Sequence, residues 1–376
     1  MPDNPPLKGI RVLDVGTLTP GKYCTFLLAK LGAEVIHVER PARDPGPVSN
    51  EDLLLNKGKK SLTLNLRSDE AVTLLRGLVG KTDVLIESYR PGVAARLGID
   101  YDTIRLLNDR VIYCSLSGFG QNGPDSQRPA YDLLFMAMSG ALDSLHGEGA
   151  PHSAPRAFVA DAASGIFAAL AVTTALFARE RGGTGCYVDL AMFDCARALL
   201  AVSHGTEGES GVSAGDESEG YARDPLYNIY RTANGYLALA AAEPAPRTAL
   251  FDLLKRPELA DTKDDDKIKV FLTEAFSAKS ADEWVQILKA RDIPAGPVAS
   301  PGDAMDDPQL IFRGMSQDTA HPLAGRLRQI ASPLHFGPSA ANARPAPVIG
   351  QDTDEILATL GCNPEEIERL RSTKVI

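Results

Sequence analysis

The chain has 376 residues, 44% of them apolar and 23% charged, and a formal net charge of −10 at pH 7. That length predicts one large or two moderate domains with cores of their own, and the composition excludes a disordered or fibrous protein. The negative charge argues against nucleic acid or an anionic membrane surface as partner, so an anionic ligand would need a local basic patch.

Five cysteines (Cys24, Cys114, Cys186, Cys195 and Cys362) are scattered, without a CxxC pair or the Cys/His spacing of a zinc site. They predict reduced thiols packed as small apolar side chains, and no metal. The N-terminus "MPDNPPLKGIRVLDVG" lacks the basic and apolar regions of a secretory signal. No run reads as approaching the roughly 18 apolar residues of a membrane span, so the expected location is the cytoplasm.

In chain order, "GIRVLDVG" (9–16) reads as a strand, the following segment as a helix closed at Gly32, and Ala33 to Val38 as a second strand. "TDVLIESYRPG" (82–92) and "RVIYCSLSGFG" (110–120) are further strands, with "VAARLGIDYDTIRLLN" as a helix between them. This alternation predicts an α/β fold with a large Rossmann-like open sheet, whose ligands bind past the carboxyl ends of its strands. Residues 157–201 read as helical, interrupted by a turn and a short strand in "RGGTGCYVDLAMFD".

Residues 204–220, rich in Gly, Ser and Glu, read as a loop or linker. "LYNIYRTANGYLALAAAEP" reads as a hairpin turning at Asn234-Gly235. Helix follows to about Ala290, with "KDDDK" as a solvated face. "LRQIASPLHF" reads as a strand, and "IGQDTDEILATLG" as a helix capped by Asp352 or Thr353 and stopped at Gly361. The expected organisation is a large domain over 1–200, a linker over 204–220, a smaller α+β domain over 221–325 and a return to the large domain over 326–376.

Two stretches invite a chemical reading. Gly16, with Glu39 ending the second strand, resembles a dinucleotide site, but in "GTLTPG" Leu18 stands where a second glycine is needed and Pro20 removes an amide donor. The loop therefore argues against NAD or FAD. In "AFVADAASGIFAALAV" (157–172), Asp161 is a lone carboxylate in an apolar helix start. Such a group is paired, caps the helix, or is chemically employed.

Six stretches in order resemble one family. They are "LKGIRVLDVGTLTPGKYCTFLLAKLGAEVIHVERP", "LNKGKKSLTLNLRS", "DVLIESYRPGVAARLGIDYD", "YCSLSGFGQNGPDSQRPAYDLLFMAMSG", "ADAASGIFAALAVTTALFARERGGTGCYVDLAMFD" and "IGQDTDEILATLG". The chain is identified by them as resembling the class III coenzyme A transferases (CaiB/BaiF family), which include α-methylacyl-CoA racemases. The resemblance implies an interlocked homodimer, with heteromeric assembly as an alternative. It also implies acyl-CoA and carboxylic acid substrates, and no permanently bound cofactor.

In "DAASG", Asp161 matches the nucleophile of the family's D-x-x-[TS]-G pattern. Capping the helix from near Ala162 is the alternative, and the two are compatible. Racemases of the family carry His-Asp where this chain has Tyr131-Asp132. Tyr131 is a poor base, its reference pKa lying near 10, which favours transfer, with Tyr131 orienting substrate and Asp132 and Glu243 as supporting carboxylates. Glu243 before Pro244 matches racemase-like members instead, and the Gly-rich loop of transferases is missing upstream. The alternatives are α-proton exchange and a non-catalytic subunit. CoA, a polyanion, would meet Arg40 and Arg43, the "NKGKK" group of Asn56, Lys57, Lys59 and Lys60, and Arg90, with Gly118 and Gly120 allowing close backbone approach.

Overall fold

The computed structural model describes residues 5–16, 18–41, 48–145, 153–204, 224–336 and 344–376. The chain packs as two compact units, one of residues 1–199 with 311–376 and the other of residues 200–310. The chain thus rejoins the first unit at Ile311, ahead of residue 326 where the sequence reading set the return. The linker read at 204–220 falls, beyond His204, outside the described residues.

The larger unit begins with β1 (Arg11–Asp14), α1 (Thr19–Lys30), β2 (Glu34–Glu39), α2 (Asn50–Leu55), β3 (Lys60–Thr63), α3 (Asp69–Val79) and β4 (Val84–Glu87). It continues through α4 (Val93–Leu97), α5 (Tyr101–Leu107), β5 (Ile112–Ser117), α6 (Asp132–Met138), α7 (Ala141–Ser144), α8 (Val159–Glu180), β6 (Cys186–Ala191) and α9 (Met192–Ala198). The six strands form one parallel sheet in the order β3-β2-β1-β4-β5-β6. The order reverses between β1 and β4, and the carboxyl ends of those two strands flank the switch-point crevice where ligands of open sheets bind.

Both faces of the sheet are covered, which is why the central strands β1, β4 and β5 are buried along their length rather than alternating. One face carries α1 and α8, with Phe26, Leu28, Ala168 and Val172 buried against Val12, Val84 and Ile112. The other carries α3, α5 and the C-terminal residues, including Leu75, Ile104, Ile356 and Leu370. The single helix expected over 93–108 is two, because Gly98 takes a left-handed φ of +66° and Asp100 starts the second by accepting from the Thr103 amide.

The smaller unit contains α10 (Ala201–His204), β7 (Tyr227–Arg231), β8 (Tyr236–Ala240), α11 (Pro244–Leu253), α12 (Asp265–Ser277), α13 (Ala281–Lys289) and β9 (Ala295–Pro297). The expected hairpin is present as antiparallel β7 and β8, and β9 adds a third strand. The turn spans Thr232 to Gly235, and Asn234 accepts through its side chain from the Ala281 amide. Asn234 thereby ties the turn to α13.

On returning to the larger unit the chain forms β10 (Ser316–His321), β11 (Gly325–Ile330), α14 (Thr353–Ala358) and α15 (Pro364–Ser372). Asp352 stands at the N-cap of α14 without capping it; its carboxylate accepts from the Ser61 amide at 2.9 Å and pairs with Arg344. Gly361 ends that segment with φ +92°. The C-terminal residues are thus stitched to β3.

One expectation is corrected outright. The 22-residue α8 is long and apolar enough by length and composition to cross a membrane, whereas the sequence reading found no such run. The reason is its alanine-rich interior, which counts as apolar although its side chains are small. In this fold α8 packs against α1 and the sheet.

Candidate active site at the start of helix α8

Asp161 is the third residue of α8, not its cap. The helix begins at Val159, earlier than the sequence reading set it, and Phe158 at the N-cap position makes no side-chain capping bond. The first-turn amides, which no helix can satisfy internally, are met from elsewhere in the chain. Asp132 Oδ1 accepts from the Asp161 amide at 3.0 Å, and the Ala160 amide also donates to the Asp132 carboxylate. Asp132, at the start of α6 and only 7% exposed, is therefore a cap supplied through space.

This arrangement leaves the Asp161 carboxylate outside the capping role and crowded by like charge. Burial, then the charges of Asp132 and Glu51, push its pKa up to about 7. Burial also raises Asp132, against the lowering effect of its two amide donors. Tyr131 precedes Asp132 at the N-cap of α6 and is 79% exposed.

The small residues after Asp161 have packing duties. A Cβ on Gly165 would stand 2.9 Å from the Pro20 carbonyl oxygen and 2.9 Å from Tyr23 Cδ1, so only glycine lets α1 and α8 approach this closely. The first turn of α1 carries Thr19, whose hydroxyl donates to Glu51 at 3.2 Å, and Lys22, whose Nζ reaches Glu51 at 3.1 Å and Asp52 at 2.7 Å. Burial would lower the Lys22 pKa; Asp52 and Glu51 more than offset it and raise it. Glu51 and Lys22 carried no motif signal in the sequence.

Under the strand ends lies a second charged group, of which the sequence reading names only Lys59, as a CoA contact; here Lys59 is fully buried. Asp14, at the end of β1, pairs in register with His37 of β2 and is fully buried. His37 Nδ1 lies 3.0 Å from Asp14 Oδ2, the Thr25 hydroxyl donates to the same oxygen at 2.7 Å, and Lys59 Nζ lies 3.5 Å away. Burial works to raise Asp14, but the charges of His37 and Lys59 and the two hydrogen bonds hold it well below the usual carboxylate range. Lys59 also donates to the Lys22 carbonyl and to Asn56 Oδ1, each at 3.1 Å. An aspartate inside the apolar run "RVLDVG" was the available signal; its partners depend on strand register.

The expected CoA-contacting residues divide. Arg40 follows β2 and Arg90 follows β4, both exposed and both past carboxyl strand ends. Lys60 instead begins β3 and pairs with Glu34 at 3.0 Å and Glu355 at 2.8 Å, away from those ends. Asn56 is buried in the Lys59 network. Lys57 is buried, which lowers its pKa; burial and then the Lys57 charge bring Lys30 down to about 8. Gly118 follows β5, where a Cβ would meet the Phe135 ring at 3.1 Å, and Gly120 turns the chain with φ +83°. Arg43 lies outside the described residues. Glu243 belongs to the smaller unit, exposed at the N-cap position of α11. Among the described residues, no group of His, Cys, Asp and Glu is arranged to hold a metal.

The carboxylate cluster at α8 suits acyl chemistry, and the chain as a whole is similar to known proteins. A family model described as CoA-transferase family III matches residues 7–353. The chain is 29% identical to succinyl-CoA:glutarate CoA-transferase of Mus musculus, over 99% of this chain and 90% of that protein. It is 31% identical to the human alpha-methylacyl-CoA racemase, over 98% of this chain and 97% of that protein. The crystal structure of a CAIB/BAIF family protein from Brucella suis superimposes with a TM-score of 0.79 at 27% identity, over 95% of this chain and all of that one. A family match across nearly the whole length, carried by the same parallel sheet, places this enzyme in CoA-transferase family III.

Proposed function

We propose that this enzyme moves CoA from an acyl-CoA thioester to a free carboxylic acid through a covalent intermediate on Asp161. The observation that carries the reading is the through-space cap: Asp132 takes the helix amides and the Asp161 side chain is left for chemistry. An Asp161 oxygen attacks the thioester carbonyl, the C–S bond breaks and the thiolate leaves, forming a mixed anhydride. The thiolate then attacks the Asp161 carbonyl and expels the acyl carboxylate, leaving an aspartyl-CoA thioester. An incoming acid runs the same steps backwards, and no net proton or water is consumed.

In this reading Asp132 is a positioning residue that fixes the turn bearing Asp161, and Tyr131 orients the substrate. The CoA phosphates meet Arg40 and Arg90 beside the switch-point crevice, with Gly118 and Gly120 lining the approach. Glu243 acts as a supporting carboxylate. Exposed apolar residues on α8 (Ile166, Leu170 and Phe177) support a homodimer in which a second copy covers that face.

Racemisation is the second reading, favoured by the similarity to the racemase and by an Asp161 that titrates near neutrality. Tyr131 weighs against it, since a second base for the opposite face of the α-carbon is lacking at that position. One experiment separates the two. The protein is incubated with an acyl-CoA and a free acid, and its intact mass and the substrate α-proton label are followed. A CoA adduct on Asp161, absent from Asp161→Ala, supports transfer. Label loss without an acceptor acid supports racemisation.

A further inference from the structure

We propose that Glu51, held against Lys22, makes the Asp161 site select monocarboxylic acyl groups over dicarboxylic ones by keeping a surplus of negative charge beside it. The inference rests on the reading of Asp161 as the transfer residue.

The argument is a count of charges with their geometry. Glu51 lies in the first turn of α2 and is fixed at both oxygens, by Thr19 at 3.2 Å and Lys22 at 3.1 Å. Lys22 is already shared with Asp52 at 2.7 Å, so one ammonium faces two carboxylates. Asp52 is held in turn by the hydroxyl of Ser49 at 2.7 Å and by Asn56 at 3.4 Å. Asp132 is held at the same helix start, where it accepts from the Asp161 amide at 3.0 Å.

Once Asp161 is acylated or carries CoA it is neutral, and the balance of Asp132, Glu51 and Asp52 against Lys22 is still negative. The dipole at the α8 start offsets only part of this. The close α1/α8 contact at Gly165 keeps the Lys22 turn beside α8, and the charge of Glu51 is felt at Asp161. A terminal carboxylate on the acyl chain adds repulsion here; a methyl or hydroxyl terminus does not. Lys22 works in the opposite sense, and removing Glu51 would leave it with one carboxylate partner, Asp52, instead of two.

The test uses the full-length protein with acetyl-, butyryl- and succinyl-CoA as donors. Acids matched in length compete as acceptors, butyrate against succinate and pentanoate against glutarate. The wild type is expected to favour the monocarboxylic member of each pair. Glu51→Gln is expected to raise the dicarboxylic-to-monocarboxylic ratio of kcat/KM by about 5- to 30-fold, the effect of one charge at several ångströms in a partly solvated site. Lys22→Met is expected to lower it. Damage to folding or to Asp161 alone reduces both acids together and leaves the ratio unmoved. Transfer with a wild-type preference for dicarboxylates, or with ratios unchanged in both variants, overturns this inference alone. Absence of transfer to all four acids, with no adduct on Asp161, overturns the transferase reading with it.

Discussion

Asp132 accepts a hydrogen bond from the backbone amide of Asp161 at 3.0 Å, so the two carboxylates are coupled through the helix end that one caps and the other occupies. With burial and a second acid, Glu51, this sets Asp161 near neutrality, at about 7. A nucleophile must be ionised, so formation of the enzyme-CoA thioester is expected to rise with pH up to about 7 and level off above it. Asp132→Asn keeps an acceptor for the amides but removes a charge. It is expected to move the limb to lower pH, measured by rapid-quench mass analysis from pH 5 to 9. An unmoved limb removes Asp132 from the account. The same coupling has a stability signature. A carboxyl raised in the folded state costs stability once pH exceeds its unfolded value near 3.9, and the full cost is present above the folded value. Asp161→Asn is expected to raise Tm at pH 8 and to leave it nearly unchanged at pH 4.

Gly165 predicts a packing defect. A Cβ there meets the Pro20 carbonyl oxygen at 2.9 Å, an atom of the backbone that cannot swing aside. Gly165→Ala is expected to force α1 from α8 and destabilise the fold by about 1–3 kcal/mol. Denaturant unfolding measures this directly. Activity is expected to fall as well, because α1 carries Thr19 and Lys22 beside the site. A neutral substitution contradicts the close approach.

Arg40 and Arg90 stand past carboxyl strand ends, whereas Lys60 is committed to Glu34 and Glu355. Replacing either arginine with Ala is expected to raise KM for acyl-CoA by roughly tenfold, the loss of one charge-assisted contact to phosphate, with kcat little changed. Lys60→Ala is expected to leave KM unchanged, and to cost no more than about 1 kcal/mol as a partly exposed ion pair. Steady-state kinetics on the three variants decides the assignment. Equal effects at Lys60 and Arg90 would mean that the strand ends do not define the CoA site.

The Asp14–Lys59 pair predicts an acid-sensitive core. Lys59→Met leaves Asp14 buried with one cation fewer, and a loss of about 3–5 kcal/mol is expected. Because the folded pKa of Asp14 is depressed, its contribution is full above about 3.9 and fades as pH falls toward the folded value. In the variant the depression is smaller, so acid unfolding is expected at higher pH, followed by circular dichroism. Adding Asp14→Asn is expected to recover part of the loss, which unrelated damage would not.

Much of the large unit is legible in the sequence because its signals are local. Apolar runs ending in turn residues mark β1, β2, β4 and β5, and left-handed glycines such as Gly32 and Gly361 end segments at positive φ, which residues with a side chain rarely adopt. The strand β3 was missed because "KKSLT" is too polar for a buried run; its Lys60 and Ser61 are satisfied by Glu355 and Asp352, about 290 residues away. β9 and β10 were missed because short strands in Pro- and Gly-rich or polar text carry little periodicity.

The same division runs through the candidate site. The sequence by itself determined the apolar helix that bears a single early carboxylate, the Tyr-Asp pair at 131 and 132, and the arginines after two strands, since each depends only on residue type and near neighbours. Only the tertiary structure decided that Asp132 caps α8 in place of Asp161, that Lys22 pairs with Glu51 whose charge reaches Asp161, and that Asp14 finds His37 and Lys59. Those relationships depend on strand register and helix contact between residues 20 to 110 positions apart. Charge and hydrogen bonding act over a few ångströms of space, and a linear pattern does not encode which distant groups come that close.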